Sequence, residues 1–267
     1  MQDALPGAHL RAETMPGHWV LAKLGKRVLR PGGLGLTKQM LAGLNVQPAD
    51  RVVEFAPGLG ITARLTLGRR PAAYTAVERD ETAADLLRRW LTGPTQRCQT
   101  GSADRSGVPD GAATVVYGEA MLTMQTTETK RRILSEAYRI LEPGGRYGIH
   151  ELSLSPDDIP DTIKHEIEQA LSHSIRVGAR PLTCAEWREE LTRAGFEVCE
   201  EHRAPMHLLE PMRLVRDEGW FGAMRFLMNV VRDAPARKRV LQMRSVFRRY
   251  EANLGAISLI GVKTSDR

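Results

Sequence analysis

A short apolar run, a turn with two glycines and two acidic residues supply most of the recognisable chemistry in this sequence. The apolar run is Val52-Val53 and is broken by Glu54, the turn covers residues 56–60, and a helical pattern starts at Ile61. A strand, a glycine turn and a helix in this order begin a nucleotide-binding βαβ unit, because glycine lets a ligand approach the backbone closely. Glu78 ends the next apolar run, where a carboxylate is placed to accept hydrogen bonds from both ribose hydroxyls. The stretch therefore predicts a site for a ligand that contains a ribose.

Two details argue against a dinucleotide as this ligand. The pyrophosphate fingerprint G-x-G-x-x-G lacks its third glycine, since Ala63 occupies that position. Glu54 lies inside the first predicted strand, just before the turn. A carboxylate there repels a pyrophosphate but suits a ligand that carries an ammonium and a sulfonium group.

With these features, residues 51–60 resemble motif I of the class I S-adenosylmethionine-dependent methyltransferases, with Ala56 in place of the first glycine. The Leu-Glu-Pro-Gly-Gly-Arg turn at residues 141–146 is the next most specific match, because its proline ends a helix and its glycines reverse the chain into a strand. Residues 50–154 look like the core of that family. The nearest subgroup is the small-molecule branch that includes the ubiquinone and menaquinone biosynthetic C-methyltransferases.

The resemblance implies an α/β, Rossmann-like three-layer sandwich. Its seven-stranded sheet is expected in the order 3-2-1-4-5-7-6, with strand 7, residues 254–262, antiparallel to its neighbours. We expect an N-terminal helical lid at residues 1–48 and a methyltransferase core at residues 49–267. Helical patterns at about 155–180 and 203–253 depart from the family, and we expect these insertions to extend the lid over the acceptor pocket.

The resemblance also implies that the cofactor is S-adenosylmethionine, with S-adenosylhomocysteine as the product. The residues that it places against the cofactor follow the first, second, third and fourth strands or lie in motif I. They are Glu54, Ala56, Pro57, Gly58, Gly60, Glu78, Arg79, Ser102, Ala103, Gly118, Glu119 and Ala120.

Few residues are candidates for acid–base chemistry at the methyl acceptor. His150, with Glu151 beside it, lies near the end of the fifth strand and is the predicted catalytic base. His18 and Trp19 in the N-terminal segment, and His173 in the first insertion, are predicted to contact the substrate from the lid.

Five methionines in the second insertion suit an adaptable apolar cavity: Met206, Met212, Met224, Met228 and Met243. The seven histidines show no ligand spacing, so no metal site is predicted.

Composition limits the compartment and the partners. Residues 1–10 show no charged stretch followed by an apolar one, so we expect no secretory signal, and no apolar run in the 267 residues approaches the ~20 residues that span a bilayer. Cys98, Cys184 and Cys199 are dispersed and odd in number, which predicts reduced thiols in a cytoplasmic protein. The net charge is +6, and residues 203–249 hold eleven Arg or Lys against four Asp or Glu.

The sequence thus predicts methyl transfer to a small, apolar or aromatic metabolite, and two alternatives stay open. The first is a nucleic-acid methyltransferase that uses the basic 203–249 region. Residues 118–121 lack the (Asp/Asn)-Pro-Pro-(Phe/Tyr) string of the amino-methylating forms. The second is a non-catalytic module that only binds S-adenosylmethionine. The oligomeric state and the accepting atom are not determined by any residue.

Overall fold

A mostly parallel β-sheet forms the centre of the computed structural model, which describes residues 5–264. Its strands are β1 Arg51–Phe55, β2 Ala73–Glu78, β3 Gln96–Thr100, β4 Ala113–Glu119, β5 Leu141–Leu154, β6 Leu182–Thr183, β7 Phe196–Pro205 and β8 Leu254–Lys263. The order is β3-β2-β1-β4-β5-β8-β7, with β6 paired to the end of β5. β8 runs antiparallel to both β5 and β7. The predicted order is confirmed, with β7 and β8 as its sixth and seventh strands and β6 as an addition.

Nine α-helices are described around the sheet. They are α1 Gly17–Lys23, α2 Gly33–Leu44, α3 Ile61–Leu67, α4 Glu81–Arg88, α5 Thr127–Ile140, α6 Asp161–Ile175, α7 Cys184–Arg193, α8 Pro211–Arg232 and α9 Ala234–Arg249. Local sequence sets several starts: Asp80 accepts a hydrogen bond from the Ala83 amide, and Thr183 with Glu186 forms a capping box. Among residues 5–264, no helix combines the length and the apolarity that crossing a membrane requires.

The sheet is covered by helices on both faces, which explains its continuous apolar strands. On one face, Val53 and Phe55 pack with α5 and α7, whose Trp187 donates an indole hydrogen bond to the Leu152 carbonyl. On the other face, Val52 and Tyr74 pack with α2, α3 and α4. These two cores hold the carboxyl ends of the parallel strands at one common edge.

A further layer of helices lies over that edge. Apolar side chains of α1, α8 and α9 form one cluster, and those of α6 and α9 form part of another. The predicted insertions therefore appear as α6 and as the pair α8 and α9. Residues 17–23 supply the N-terminal part of this layer, whereas α2 packs on the sheet. Residues 1–4 of the predicted lid lie outside the described residues.

One helix is shorter than the sequence predicted. Apolar residues at helical spacing predict one helix over residues 9–30, but only α1 is helical there, after turns at residues 6–9 and 12–14. Pro16 precedes α1, and Gly25 follows it with a φ of +100° that a helix does not tolerate. The segment after Gly25 has no regular secondary structure and carries Arg30 to the cavity.

Candidate active site

A cavity of about 880 Å³ opens between the carboxyl edge of the sheet and the helical layer. Loops after β1, β2, β3 and β4 form its floor with residues 56–59, 78–80, 101–104 and 119–121. Side chains of α1, α6 and α9 form its roof. In an open parallel α/β sheet this edge is the usual place for a ligand, because loops from several strands converge there.

The glycine loop adopts the backbone that its sequence predicts. Ala56, Gly58 and Gly60 have φ values of +50°, +56° and +71°. A Cβ on Gly60 would lie 2.4 Å from Trp90 Cζ2, so this glycine allows α3 to pack on α4 and does not line the cavity. A Cβ on Gly58 would meet nothing within 4 Å, so its backbone faces open space at the cavity wall. Ala56 keeps the left-handed conformation at a cost of about 1–2 kcal/mol.

Glu78 links the loops after β1 and β2. Its carboxylate accepts hydrogen bonds from the amides of Gly58 and Asp80, each at 3.0 Å, and it lines the cavity. Burial raises the pKa of this carboxyl, while the amide hydrogen bonds lower it. Each carboxylate oxygen has a further lone pair, so the group can still accept hydrogen bonds from a ligand.

Glu119, at the end of β4, is the centre of a buried polar network. It accepts hydrogen bonds from the hydroxyls of Thr37, at 2.6 Å, and Thr62, and it pairs with Arg30 at 3.0 Å. His150 Nδ1 lies 2.7 Å from the same carboxylate. Burial opposes ionisation of Glu119, but Arg30 and His150 reverse this effect, and the pKa falls to about 2.

The geometry does not support His150 as the base. Its side chain is fully buried and is not among the residues that line the cavity. Its Nε2 donates to the Pro31 carbonyl at 2.5 Å, and Nδ1 faces the ionised Glu119. Both ring nitrogens therefore face groups of the fold, and neither reaches the cavity where a substrate would lie. His150 connects Glu119 to the segment before α2.

Glu151 lines the cavity but is also engaged by its own fold. Its buried carboxylate accepts from the amides of Met121, Leu122 and Thr123 at 2.7–3.0 Å and from the Thr123 hydroxyl. Burial raises the pKa of this carboxyl against the effect of these donors. Glu151 therefore fixes the loop after β4.

Arg30 is a site residue that the sequence did not identify. Its side chain is 11% exposed, one Nη pairs with Glu119, and the residue lines the cavity. Its Nε and its other Nη are buried without a hydrogen-bond partner among the described residues. Such donors are costly to leave unpaired, so they mark a place for an anionic group of a ligand. In the sequence, Arg30 is one of several Arg and Lys residues near the N-terminus, and nothing distinguishes it from the others.

Glu54 lies beneath the floor and not at the cavity surface. It is 3% exposed and accepts hydrogen bonds from the hydroxyls of Tyr74, at 2.5 Å, and Tyr117, at 2.6 Å. Burial, supported by the nearby Glu119 charge, raises the pKa of Glu54 to about 7. The predicted contact between Glu54 and an ammonium group is therefore not formed by a cavity-lining carboxylate.

The raised pKa of Glu54 makes the unfolding free energy fall as the pH rises. Its pKa rises from 4.5 unfolded to about 7 folded. The folded state therefore holds the extra proton, and the stabilisation is complete below pH 4.5 and is lost as the pH rises through about 7. We expect the unfolding free energy of the wild type, relative to Glu54→Gln, to fall by about 3 kcal/mol between pH 4.5 and pH 8. Urea denaturation at both pH values measures this, with the exposed Glu197→Gln as control; a constant difference would contradict it.

The loops after β2, β3 and β4 also reach the cavity. Arg79, Ser102, Ala103 and Ala120 all line it. Ser102 donates to Asp104 at 2.5 Å, and Arg132 holds the other oxygen of Asp104 at 3.1 Å. Gly118 does not line the cavity; a Cβ there would lie 2.9 Å from Met121 Sδ, so this glycine serves packing.

The predicted lid residues divide into two groups. His18 and Trp19 line the cavity with ring centroids 4.6 Å apart, and burial lowers the pKa of His18 to about 4 although Asp80 opposes this. The placement of His173 at the substrate is corrected, because it is exposed on α6, whose cavity face carries Leu171 and Ile175. A residue midway between positions i and i+4 points away from their helical face.

The methionines divide in the same way. Met206 and Met243 line the cavity. Met212, Met224 and Met228 are exposed on α8. The prediction that all five suit the cavity is thus corrected for the three on α8.

Comparison with known proteins agrees with this architecture. Residues 53–149 match the family described as "Methyltransferase domain". A Haemophilus influenzae protein, named only as uncharacterized, is 30% identical over 251 residues, which are 92% of this chain and 98% of that protein. Phosphoethanolamine N-methyltransferase 2 of Haemonchus contortus, solved with phosphomonomethylethanolamine and S-adenosylhomocysteine, aligns with a TM-score of 0.71 and 13% identity over 93% of this chain and 58% of that one. The cyclase SpnF aligns with a TM-score of 0.66 and 16% identity over 95% and 98%.

The fold, the glycine loop and the family match define the class of this protein. Residues 53–149 belong to the methyltransferase domain family that they match, and the chain as a whole has the α/β, Rossmann-like fold of the class I S-adenosylmethionine-dependent methyltransferases. Its cofactor is S-adenosylmethionine. The cavity fits this molecule, since it offers an open backbone at Gly58, a carboxylate at Glu78 and unpaired guanidinium donors at Arg30. These are the groups that an amino acid and a ribose require.

Proposed function

We propose that this protein transfers the methyl group of S-adenosylmethionine to a small, apolar or aromatic metabolite held beneath α1, α6 and α9. One observation carries the proposal: the cavity lining contributed by α6, α9, the end of β5 and the loops beside them is apolar, and its side chains are buried or half-buried. This lining comprises Leu152, Leu171, Ile175, Val177, Met206, Leu208, Met243 and Phe247. A covered apolar cavity suits a metabolite, whereas a polymer needs an open groove.

The loops of the floor would hold the cofactor by its separate parts. We assign the ribose to Glu78, the methionine backbone to the amides around Gly58, and the methionine carboxylate to Arg30. Ser102, Ala103 and Asp104 would surround the adenine, since the first two are small and the third is an acceptor. Arg30 is in turn fixed by Glu119, so His150 acts on the site through Glu119 as a positioning residue.

The bound cofactor supplies an already activated methyl group, so the protein mainly has to position the acceptor and exclude water. The carboxylates of Glu78, Glu119 and Glu151 are all occupied by donors of the fold. Among residues 5–264, His18 is the one histidine that lines the cavity, and its lowered pKa keeps it neutral at pH 7. A neutral imidazole can accept or donate one hydrogen bond to orient an acceptor that carries a hydroxyl or an amine.

The three cysteines are free and spread over β3, α7 and β7. This distribution supports the proposal of a reducing, cytoplasmic environment.

The experiment that tests the proposal is a screen of cell extract with methyl-labelled S-adenosylmethionine. After incubation, the extract is separated into small molecules, RNA and protein, and label is expected in the small-molecule fraction. The Glu78→Ala variant, at equal concentration, is the control for background transfer. Label found only in RNA or protein would reject the proposal in favour of a macromolecular acceptor, and no enzyme-dependent label would favour a binding module.

A further inference from the structure

The outer face of α8 carries a continuous row of exposed apolar side chains. Gly219, with φ +70° and ψ 170°, kinks the helix, and the row occupies the segment that follows. We call it the α8 stripe: Trp220, Phe221, Met224, Leu227, Met228 and Val231. Trp220 is 76% exposed and Phe221 is 89% exposed. A contiguous apolar surface of this kind marks an interaction site, because isolated domains rarely leave one uncovered.

The geometry of the helix collects these residues on one side. At about 100° per residue they fall within an arc of about 120°. The opposite side supplies Ala223 and Phe226, which are buried against α1 and α9. The fold of this layer therefore uses the inner face of α8 and leaves the stripe without a structural role.

The charged residues around the stripe are sorted by sign. Arg225 and Arg232 border the stripe on the same helix, and Arg237 and Lys238 follow on α9; all four are exposed. The four acids of residues 203–249 are held by partners inside the fold. Asp217 and Glu218 are buried beside Lys26, Asp233 caps α9 and pairs with Lys23, and Glu210 pairs with Arg244 and Arg248.

We propose that the α8 stripe and its cationic border dock this protein on the surface of an anionic lipid bilayer. The apolar side chains would enter the boundary between headgroups and acyl chains, while the arginines and the lysine contact the lipid phosphates. Exposed Trp and Arg beside aliphatic side chains suit this boundary, where one end of a residue is apolar and the other is wet.

Charge complementarity favours the bilayer over the other occupants. In a two-fold dimer built on the stripe, Arg225, Arg232 and their neighbours would face the same cations of a second copy. A nucleic acid would satisfy the cations but would leave Met224, Leu227 and Val231 without an apolar partner. Only a surface that is both anionic and apolar matches the two features together.

Docking would place the helical layer between the bilayer and the cavity, because α9 also contributes Met243 and Phe247 to the cavity lining. A source of apolar acceptors would then lie beside the roof of the site. This last consequence rests on the proposed function, whereas docking itself does not.

The test is co-sedimentation of the full chain with vesicles of phosphatidylcholine, alone or mixed with phosphatidylglycerol. We expect binding to the mixed vesicles and at least about tenfold weaker binding to the neutral ones. Phe221→Glu with Leu227→Glu, and separately Arg225→Glu with Arg232→Glu, should each weaken binding to the mixed vesicles at least about tenfold. Ile163→Glu, an exposed apolar residue on α6, is the matched control and should bind like the wild type.

Each variant must bind S-adenosylmethionine like the wild type, because no α8 residue lines the cavity. Equal binding of the stripe variant and the wild type to mixed vesicles would overturn the proposal. Absence of vesicle binding by the wild type would also overturn it. If light scattering then shows a wild-type dimer that Phe221→Glu converts to a monomer, the stripe is assigned to contact with a second copy. No methyl acceptor is involved, so failure here is distinct from failure of the proposed function.

Discussion

Arg30→Met is expected to weaken binding of S-adenosylmethionine by about 10- to 100-fold. The structure leaves two donor nitrogens of this buried guanidinium without a partner at the cavity wall. A charge-assisted hydrogen bond to a carboxylate contributes about 1.5–3 kcal/mol, which corresponds to this range. Methionine keeps much of the side-chain length and removes all donors. Calorimetric titration with S-adenosylhomocysteine, the uncharged-sulfur product, gives the affinity without turnover.

Two comparisons make the Arg30 result specific. Arg27→Met removes a guanidinium from the rim of the same cavity, but Arg27 is exposed, so its affinity should change less than about threefold. Glu119 retains His150, Thr37 and Thr62 as partners after Arg30 is replaced, which limits the loss of stability. Titrations are therefore made below the melting temperature of each variant. An unchanged affinity in folded Arg30→Met would remove Arg30 from the cofactor site.

Glu78→Ala is expected to weaken cofactor binding by about 10- to 100-fold, for two reasons that can be separated. The change removes an acceptor for the ribose, and it releases the amides of Gly58 and Asp80 from their shared partner. Together these losses cost about 1–3 kcal/mol of binding free energy, which corresponds to roughly this range. Titration calorimetry with S-adenosylhomocysteine measures their sum.

A ligand without ribose hydroxyls separates the two contributions. The dideoxy analogue of S-adenosylhomocysteine should lose affinity for the wild type, but its affinity should differ less between wild type and Glu78→Ala. The coupling energy of this cycle reports the contact between Glu78 and the ribose. Glu81→Ala, an exposed carboxylate on the next helix, is the control and should leave both affinities unchanged. Zero coupling would assign Glu78 to loop anchoring alone.

The order of the sheet could be predicted because its determinants are local. A glycine turn after β1, a proline–glycine turn before β5 and alternating helical and apolar segments each act within a few residues. The helices of the insertions were also predicted from their own periodicity. The limits of α1 were less predictable, since Gly25 ends this helix and its φ is fixed by the tertiary path of the segment.

The same distinction applies to the candidate site. Ala56, Pro57, Gly58 and Glu78 line the cavity because position in a βα loop determines where a residue lies. Whether the side chains of His150, Glu54 and His173 point into the cavity could not be predicted, since this depends on partners distant in sequence. Tyr74 and Tyr117 hold Glu54 below the floor, and Pro31 and Glu119 hold both nitrogens of His150.

By itself, the sequence determined the family, the strand order, the cofactor and the loops that line the cavity, because these follow from local backbone preferences and short motifs. Only the tertiary structure decided which ionisable groups are free to act. It pairs Arg30 with Glu119, which lies 89 positions further along the chain, and it gives both ring nitrogens of His150 a partner within the fold. It also leaves the apolar row of α8 exposed. The physical reason is that the protonation, exposure and pairing of a side chain depend on the groups packed around it, and packing joins residues that are distant in the chain.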